Sequence, residues 1–308
     1  MSANYIIRSI PNFSTSCESV VEKIAQAFKI KQDKDMGGAI YILDYSLDKD
    51  HNRSVFTIES RASTLEACFS NLTKAYFGVF EIALKHIDLT KHKGVHPRIG
   101  AIDVIPFVPI ENVTTQQAVE FSKVFAGQIN QKFNVPVFLY EKSAKSSERQ
   151  NLADIRKNAS VWLPDYTIRE SGLVRGAGFV QGESLVGDGL TGDLVGDNLA
   201  PHKTFGAVAI GVRQPLIAYN VLLDTGDVRY AKKIARAVRE RDGGLKGVKA
   251  LGLFLQSKNK AQVSCNITDT DANNTDTVYA AIQKEASKLG VKILSAELIG
   301  LLPNAHTT

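Results

Sequence analysis

Cysteine is scarce in this sequence. Its three cysteines, Cys17, Cys68 and Cys265, are scattered, and none lies in a CxxC pair or in a Cys/His spacing typical of zinc ligands. An odd, scattered set of thiols excludes a disulfide-stapled scaffold and argues against a structural zinc site. We therefore expect no metal cofactor, and a protein of a reducing compartment, the cytoplasm.

Long apolar runs and a concentrated positive charge are also missing. No stretch approaches the roughly 18 apolar residues that a membrane-spanning helix needs, and the first residues lack the basic start and apolar core of a signal peptide. The formal charge of +5 is spread along the chain, whereas a nucleic-acid reader more often shows a basic stripe with interleaved aromatics. We expect neither a membrane nor a nucleic-acid partner, and a mild attraction for a small acidic substrate.

The familiar catalytic and nucleotide-binding signatures are absent as well. The sequence has no GxxxxGK[ST] loop and no GxGxxG between a strand and a helix, and it lacks both GxSxG and HExxH. These absences argue against a P-loop nucleotide site, a Rossmann dinucleotide site, an α/β-hydrolase and a zincin protease.

Regular alternation of strands and helices fills the first half of the chain. Three possible capping boxes begin at Thr15, Ser63 and Thr114, and each precedes an apolar helical pattern. Between these helices, β-branched runs bounded by polar turns predict strands at residues 5–10, 39–44, 54–59, 99–108 and 135–140.

The last third of the chain repeats this rhythm. Strands are predicted at 207–212, 216–222, 248–256, 261–267 and 291–298, and helices at 228–241 and 277–289. Hairpins mixed with helices indicate an α+β sandwich of the split-βαβ, or ferredoxin-like, type. We predict two related subdomains of this type with a groove between them, one over residues 1–170 and one over residues 202–308.

The stretch between them, residues 171–201, is rich in glycine and aspartate. A flexible connection is the first interpretation of such a composition, and a lid over a site is the second, since long loops in compact proteins are often functional. Asp188, Asp193 and Asp197 do not have the spacing of a calcium loop.

One segment stands out chemically: HKGVHPRIGAIDVIPFVPI, residues 92–110. Pro97 disfavours helix at His96, so the histidine is presented from a loop at the mouth of a strand. Arg98, two residues on, shares its side of an extended segment. A group that titrates near neutrality beside a guanidinium suits proton transfer on an acidic substrate. His92 is expected on the surface.

A second polar cluster, Asp50-His51-Asn52-Arg53, separates two predicted strands. A solvated hairpin turn is one interpretation, since Asp and Asn favour turns. A functional loop is the other, and the sequence leaves both open.

These segments resemble the glutamate formiminotransferase family, the folate-dependent transferases of histidine degradation. The segment HKGVHPRIGAIDVIPFVPI is similar to that family's signature. The similarity continues in order almost end to end, through IPNFS at 10–14, DHNRSV at 50–55, VPVFLYE at 135–141, PLIAYNVLL at 215–223, KAQVSCNITD at 260–269 and AELIGLLP at 296–303.

The resemblance implies an enzyme that moves the formimino group of N-formimino-L-glutamate to N5 of tetrahydrofolate, its co-substrate, with His96 as the catalytic acid/base. It places the folate contacts at Thr204, Phe205, Gly206 and Gly243, and it suggests a homodimer. From their residue types, we expect Arg98 or Arg213 to hold a substrate carboxylate, and the hairpin residues Asp50, Asn52 and Arg53 to bind substrate or orient His96.

Two other functions remain open at this stage. The same scaffold could use 5-formyltetrahydrofolate with glutamate, or a different formimino donor. A folate-binding protein with little turnover is the alternative outside enzymes. The departure from the family over residues 171–205 motivates the first alternative, and the presence of His96 and Arg98 speaks against the second.

Overall fold

A computed structural model describes residues 4–29, 38–162, 166–169, 172–175, 194–195 and 202–302 of the 308-residue chain. The chain divides into two compact units. The first contains the residues up to Arg213, and the second contains those from Gln214 onward together with the turn Lys49–His51. Most of the Gly- and Asp-rich stretch 171–201 lies outside the described residues.

The first unit is built from strands and helices that alternate along the chain. They are β1 (Tyr5–Ser9), β2 (Asn12–Phe13), α1 (Glu18–Phe28), β3 (Gly38–Asp48), β4 (Arg53–Ala62), α2 (Leu65–His86), β5 (Ile102–Glu111), α3 (Thr115–Phe133), β6 (Val137–Glu141), α4 (Leu152–Trp162), β7 (Tyr166–Arg169), β8 (Gly172–Arg175), β9 (Leu194–Val195) and β10 (Val208–Val212).

The beginning of this unit is a split-βαβ fold. Strands β1 and β2 both lie between β4 and β5, β3 flanks β4, and all of these pairs are antiparallel. The chain order is therefore strand, helix, two strands, helix, strand, with the first strand placed between the third and the fourth.

The rest of the unit extends the sheet beyond β5. Strand β10 is parallel to both β5 and β6 and lies between them, and α3 supplies the crossover that parallel strands need. The sequence placed the start of the second subdomain at residue 202. The structure differs, because β10 belongs to the first sheet and the compact units divide after Arg213.

The main core fills the space between this sheet and the helices α1, α2 and α3. Phe13, Phe28, Phe56 and Tyr76 meet there in edge-on or tilted ring contacts. A smaller apolar cluster covers the opposite face of the sheet, where Ile155 of α4 lies with residues of β5, β6 and β10. Helix α4 thereby reaches the face of the sheet that α1, α2 and α3 leave uncovered.

The helix starts test the predicted capping boxes. Thr114 and Gln117 form the full reciprocal box, as predicted. The second helix is capped by Thr64, one residue later than predicted, through the backbone N–H of Ala67. The box at Thr15 is wrong, because Cys17 occupies the N-cap of α1 and makes no side-chain capping hydrogen bond.

The second unit repeats the split-βαβ order in full. It contains β11 (Ile217–Leu223), α5 (Val228–Val238), β12 (Val248–Leu255), β13 (Lys260–Ile267), α6 (Thr275–Lys288) and β14 (Ile293–Ile299). Its sheet runs β12-β13-β11-β14 with antiparallel neighbours, and α5 and α6 share its apolar core. The predicted α+β class and the two related split-βαβ subdomains are confirmed. The predicted groove between them stays a prediction.

Candidate active site

The HKGVHPRIG segment forms a loop that leads from α2 into β5. The predicted strand over 99–108 begins three residues late, at Ile102. Before it, the loop is tied to residues 204–207 by three backbone hydrogen bonds. The N–H of Leu89 donates to Thr204 (2.8 Å), that of Ala101 to Phe205 (2.7 Å), and that of Ala207 to Ile99 (2.9 Å). Both ends of the loop are therefore fixed to one neighbouring segment.

That neighbouring segment, 202–206, holds three of the residues expected to contact folate. It is a tight turn in which His202 and Gly206 exchange backbone hydrogen bonds of 3.0 and 2.8 Å. The ring of Phe205 is fully buried and stacks on Phe80 with 5.4 Å between ring centroids, so a ligand could meet only its backbone. Thr204 is half-buried. Their role toward folate stays a prediction.

His96 is half-buried and lies against a guanidinium group. Nη1 of Arg53 is 2.6 Å from Nδ1 and 3.1 Å from Nε2 of the imidazole, and Nδ1 is also 2.8 Å from the carbonyl oxygen of Pro97. A guanidinium only donates hydrogen bonds, so the ring nitrogen that pairs with Arg53 carries no proton. Nδ1 thus has two alternative partners, Arg53 when it is bare and Pro97 when it carries a proton.

Arg53 is the first residue of β4, and its other nitrogens are held by β2. Nε and Nη2 both donate to Oδ1 of Asn12, at 2.9 and 2.6 Å. Burial lowers the pKa of Arg53 to about 9, against the opposing attraction of Asp103, and the guanidinium stays a cation at neutral pH. Asn12 therefore holds the guanidinium of Arg53 in the orientation in which it faces the imidazole. The alternating pattern of β4 could not reveal this contact, because Asn12 lies on another strand.

Asp103 is a buried carboxylate near the start of β5, where the following residues up to Ile110 are apolar. Asn12 pairs with Val104 while Phe13 pairs with Ile102, so the register shifts by one residue at Asp103. Such a bulge redirects a side chain. Its Oδ1 accepts from the backbone N–H of Ile99 (2.9 Å), and its Oδ2 accepts from Arg156 of α4 and lies 3.9 Å from Nη1 of Arg53.

Electrostatics keep this carboxylate ionised. Burial acts to raise its pKa, but Arg156, Arg53 and the N–H of Ile99 together hold the pKa of Asp103 below its usual value. Sequence reasoning missed Asn12, Asp103 and Arg156. The available signal was an aspartate inside the apolar run Ile99 to Val108.

Arg98 supports the loop that carries His96. It is only 3 % exposed, and its Nη2 donates to the carbonyl oxygens of Gly94 (3.1 Å) and His96, while Nη1 contacts His92. His92 is half-buried and its Nε2 contacts the carbonyl oxygen of Asn52 (2.9 Å), so the expected surface position for this histidine is wrong. The predicted carboxylate-binding role of Arg98 stays a prediction.

The hairpin turn at Asn52 is clamped to this loop, which disfavours a merely solvated turn. Asn52 has a positive φ of 44°. Its Oδ1 accepts from the backbone and the hydroxyl of Ser16 (2.9 and 3.0 Å), and its amide donates to the carbonyl oxygen of Lys93 (3.0 Å). Asp50 groups with the second unit, where it accepts a hydrogen bond of 2.8 Å from the backbone of Ser257.

Arg213 lies further along the sheet than Asp103, although both Arg213 and Arg156 act electrostatically on Tyr140. Arg213 follows the last residue of β10, and Val212 pairs with Phe107, four residues beyond Asp103. Its Cα is thus about 16 Å further along the strand than Asp103, at about 3.3 Å per residue. Its guanidinium is hydrogen-bonded to Tyr140, and burial lowers the pKa of Arg213. Gly243 belongs to the second unit, where it is exposed with a φ of +92°.

The described residues also bear on metals and membranes. Among them, no group of three or more His, Cys, Asp or Glu side chains could hold a metal ion. None of the helices they form is both long and apolar enough to cross a membrane.

The protein thus contains two split-βαβ units, and a histidine, an arginine and a bulged aspartate are gathered at one strand end of the first. The model of the formiminotransferase domain, N-terminal subdomain, matches residues 6–213, and that of the formiminotransferase domain matches residues 218–307. The chain belongs to the formiminotransferase family. The family and the enzyme class expected from the sequence, a glutamate formimidoyltransferase, are thereby confirmed.

Curated relatives agree over nearly the whole chain. Glutamate formimidoyltransferase of Streptococcus pyogenes serotype M1 is 38 % identical over 97 % of this chain and 89 % of its own length. The protein of the same name from Thermoplasma acidophilum is 32 % identical, over 97 % and 88 %. Formimidoyltransferase-cyclodeaminase of Dictyostelium discoideum is 32 % identical over 97 % of this chain and 51 % of its own length.

Proposed function

We propose that this protein transfers the formimino group of N-formimino-L-glutamate to N5 of tetrahydrofolate, with His96 as the general acid and base. The glutamate formimidoyltransferases that it resembles over their length support the reaction. The observation that carries the role of His96 is its placement: half-buried, presented from a braced loop, and paired with Arg53 through a ring nitrogen.

The chemistry needs one group that accepts a proton and then returns it. The N5 amine attacks the formimino carbon, and a tetrahedral intermediate forms. N5 gives up its proton to His96, and His96 passes that proton to the glutamate nitrogen, whose bond to the carbon then breaks. The products are 5-formiminotetrahydrofolate and glutamate. A positioned acid/base of this kind contributes typically about 10²–10⁴-fold.

The surrounding residues keep the imidazole in position. Arg53, anchored on Asn12, donates to the imidazole and favours a ring that can accept a proton. Arg98 and Asn52 hold the loop on either side of His96. Thr204, Gly206 and the backbone of Phe205, in the turn beside this loop, are proposed to contact the folate, together with Gly243, and Arg213 is proposed to meet a substrate carboxylate.

A turnover assay tests the reaction. Purified protein receives N-formimino-L-glutamate with and without tetrahydrofolate, and glutamate release is followed. Folate-dependent release is expected, and glutamate release from N-formimino-L-glutamate at the same rate without tetrahydrofolate would contradict the proposal. If only 5-formyltetrahydrofolate and glutamate are turned over, these two compounds are the substrates. If the protein binds folate but turns over none of the donors, it is a folate-binding protein.

Two variants then test His96. His96→Ala should lose about 10²–10⁴-fold in kcat while the dissociation constant of tetrahydrofolate stays close to that of the wild type. His86→Gln changes a histidine at the end of α2 and serves as the matched control. Full activity in His96→Ala would remove it from the mechanism.

We further propose a cytoplasmic homodimer that binds small molecules. The family resemblance supports the dimer, and the cysteine usage supports the compartment. Light scattering of the purified chain at micromolar concentration measures the mass, and a mass of one chain would contradict the dimer.

A further inference from the structure

The cluster around Asp103 holds an excess of buried positive charge. Three guanidinium groups, those of Arg53, Arg98 and Arg156, influence one another electrostatically around this single carboxylate. Asp48, the half-buried residue that pairs with Arg53 across β3 and β4, is a weaker influence on that guanidinium than Asp103. Three cations against one close anion, away from water, are stabilised when another anion enters the site.

Arg156 is the member of the cluster with donor capacity left. Its side chain is 12 % exposed, and one terminal nitrogen is taken by Oδ2 of Asp103. Its Nε is buried and has no hydrogen-bond partner among the described residues. A buried N–H of this kind is costly unless something satisfies it, and a guanidinium edge suits a carboxylate.

Arg156 is also close to the reacting group. The Oδ2 atom that Arg156 binds is 3.9 Å from Nη1 of Arg53, and that same Nη1 is 2.6 Å from the imidazole of His96. A ligand held by Arg156 therefore lies near the atoms on which His96 acts.

We infer that Arg156 binds the α-carboxylate of the glutamate-type donor and thereby orients the formimino nitrogen toward His96. This inference rests on the proposed function. In the donor, only the α-carbon and the nitrogen separate that carboxylate from the formimino carbon. A residue near His96 can therefore bind the carboxylate while the formimino group lies beside His96. The glutamate carboxylates of folate share this chemistry, but the p-aminobenzoyl group separates them from N5.

Binding measurements without turnover test the site. Calorimetric titration of L-glutamate, alone and with 5-formyltetrahydrofolate, is compared in the wild type, Arg156→Gln and Arg156→Lys. We expect Arg156→Gln to weaken glutamate about 10- to 100-fold, the range given by a hydrogen bond to a charged group. The glutamate affinity of Arg156→Lys should lie between those of the wild type and Arg156→Gln, since lysine keeps the positive charge but cannot donate two parallel hydrogen bonds. Lys157→Gln removes a neighbouring, exposed charge on α4 and should bind as the wild type does.

Ligand analogues identify the carboxylate. Glutamine keeps the α-carboxylate, and its affinity should fall in Arg156→Gln as that of glutamate does. Isoglutamine, in which the α-carboxylate is an amide, should bind the wild type weakly and lose nothing further in the variant. The affinity for 5-formyltetrahydrofolate should be the same in both proteins, and a loss confined to the folate would assign Arg156 to the folate instead and overturn the inference.

The remaining outcomes are decisive as well. Thermal unfolding and circular dichroism first establish that each variant is folded. If Arg156→Gln does not fold, the binding comparison uses Arg156→Lys. Unchanged glutamate affinity in a folded variant, or a wild type that binds no glutamate under either condition, overturns the inference. If the wild type lacks folate-dependent turnover but its glutamate affinity depends on Arg156, the proposed reaction fails and the site stands.

Discussion

Gly100 and Gly206 pair across an antiparallel bridge that joins the loop carrying His96 to the turn 202–206. A Cβ atom on Gly100 would lie 1.7 Å from the carbonyl oxygen of Ala207, and one on Gly206 would lie 2.3 Å from that of Ile99. Gly206 also has a φ of +78°. Only glycine allows the two backbones to approach this closely.

Gly100→Ala should therefore destabilise the protein by roughly 1–3 kcal/mol, as overpacking does, because backbone rather than a flexible side chain must move. Urea unfolding measures the change. Gly127→Ala is the matched control, since its added methyl would meet nothing within 4 Å in α3, and it should be neutral or stabilising. Equal effects of the two changes would show that the close approach is not a constraint.

Asp103→Asn should lower stability by about 3–5 kcal/mol at neutral pH, since it leaves buried cations uncompensated. The pKa of Asp103 is lowered in the folded state. Its contribution is thus fully present above the unfolded pKa of about 3.9 and is lost as pH falls through the folded pKa.

The difference in unfolding free energy between wild type and Asp103→Asn should accordingly hold from pH 7 to about pH 5 and shrink below about pH 4. Urea titrations across that range measure it. Asp271→Asn, at an exposed position, should stay within about 0.5 kcal/mol. A difference that does not change with pH would show that Asp103 is not ionised in the folded protein.

His202 should make the turn 202–206 sensitive to acid. Its Nδ1 accepts from the backbone N–H of Phe205 (3.2 Å), which requires a bare nitrogen, and burial lowers the pKa of His202. A base with a lowered folded pKa contributes stability that is complete above its unfolded pKa of about 6.5 and declines as pH falls below it.

His202→Asn keeps an acceptor for the Phe205 N–H and removes the titration. Between pH 7.5 and 5.5, the denaturation midpoint of the wild type should therefore fall more than that of His202→Asn. Parallel midpoints would show that protonation of His202 does not weaken the turn.

Arg98→Gln should lower kcat about 10- to 100-fold, because a loop displaced by about 1 Å misplaces the acid/base. The guanidinium braces the carbonyl oxygens of Gly94 and His96, so the KM for N-formimino-L-glutamate should change little. Steady-state kinetics separate the two constants. A raised KM with normal kcat would instead favour the carboxylate-binding role that the sequence suggested.

Much of the fold could be predicted because its elements are local. The apolar periodicity of α2 and α5 and the β-branched runs of β4 and β13 are written in consecutive residues, and they were sufficient for two split-βαβ subdomains. The placement of β10 could not be predicted, since a parallel strand takes its partners from residues about 70–100 positions away. Thus residues 207–212 carried the right strand pattern but were assigned to the wrong sheet.

The candidate site shows the same division. The sequence alone determined that His96 is presented from a proline-stiffened loop beside Arg98, since a proline restricts the backbone of its neighbour wherever it lies. The sequence motifs were also sufficient to identify the family. Only the tertiary structure brought Arg53 to His96, redirected the side chain of Asp103 through a bulge in its strand, and placed Arg156 of α4 in contact with Asp103. These contacts depend on strand register and helix packing, which no local pattern of residues encodes.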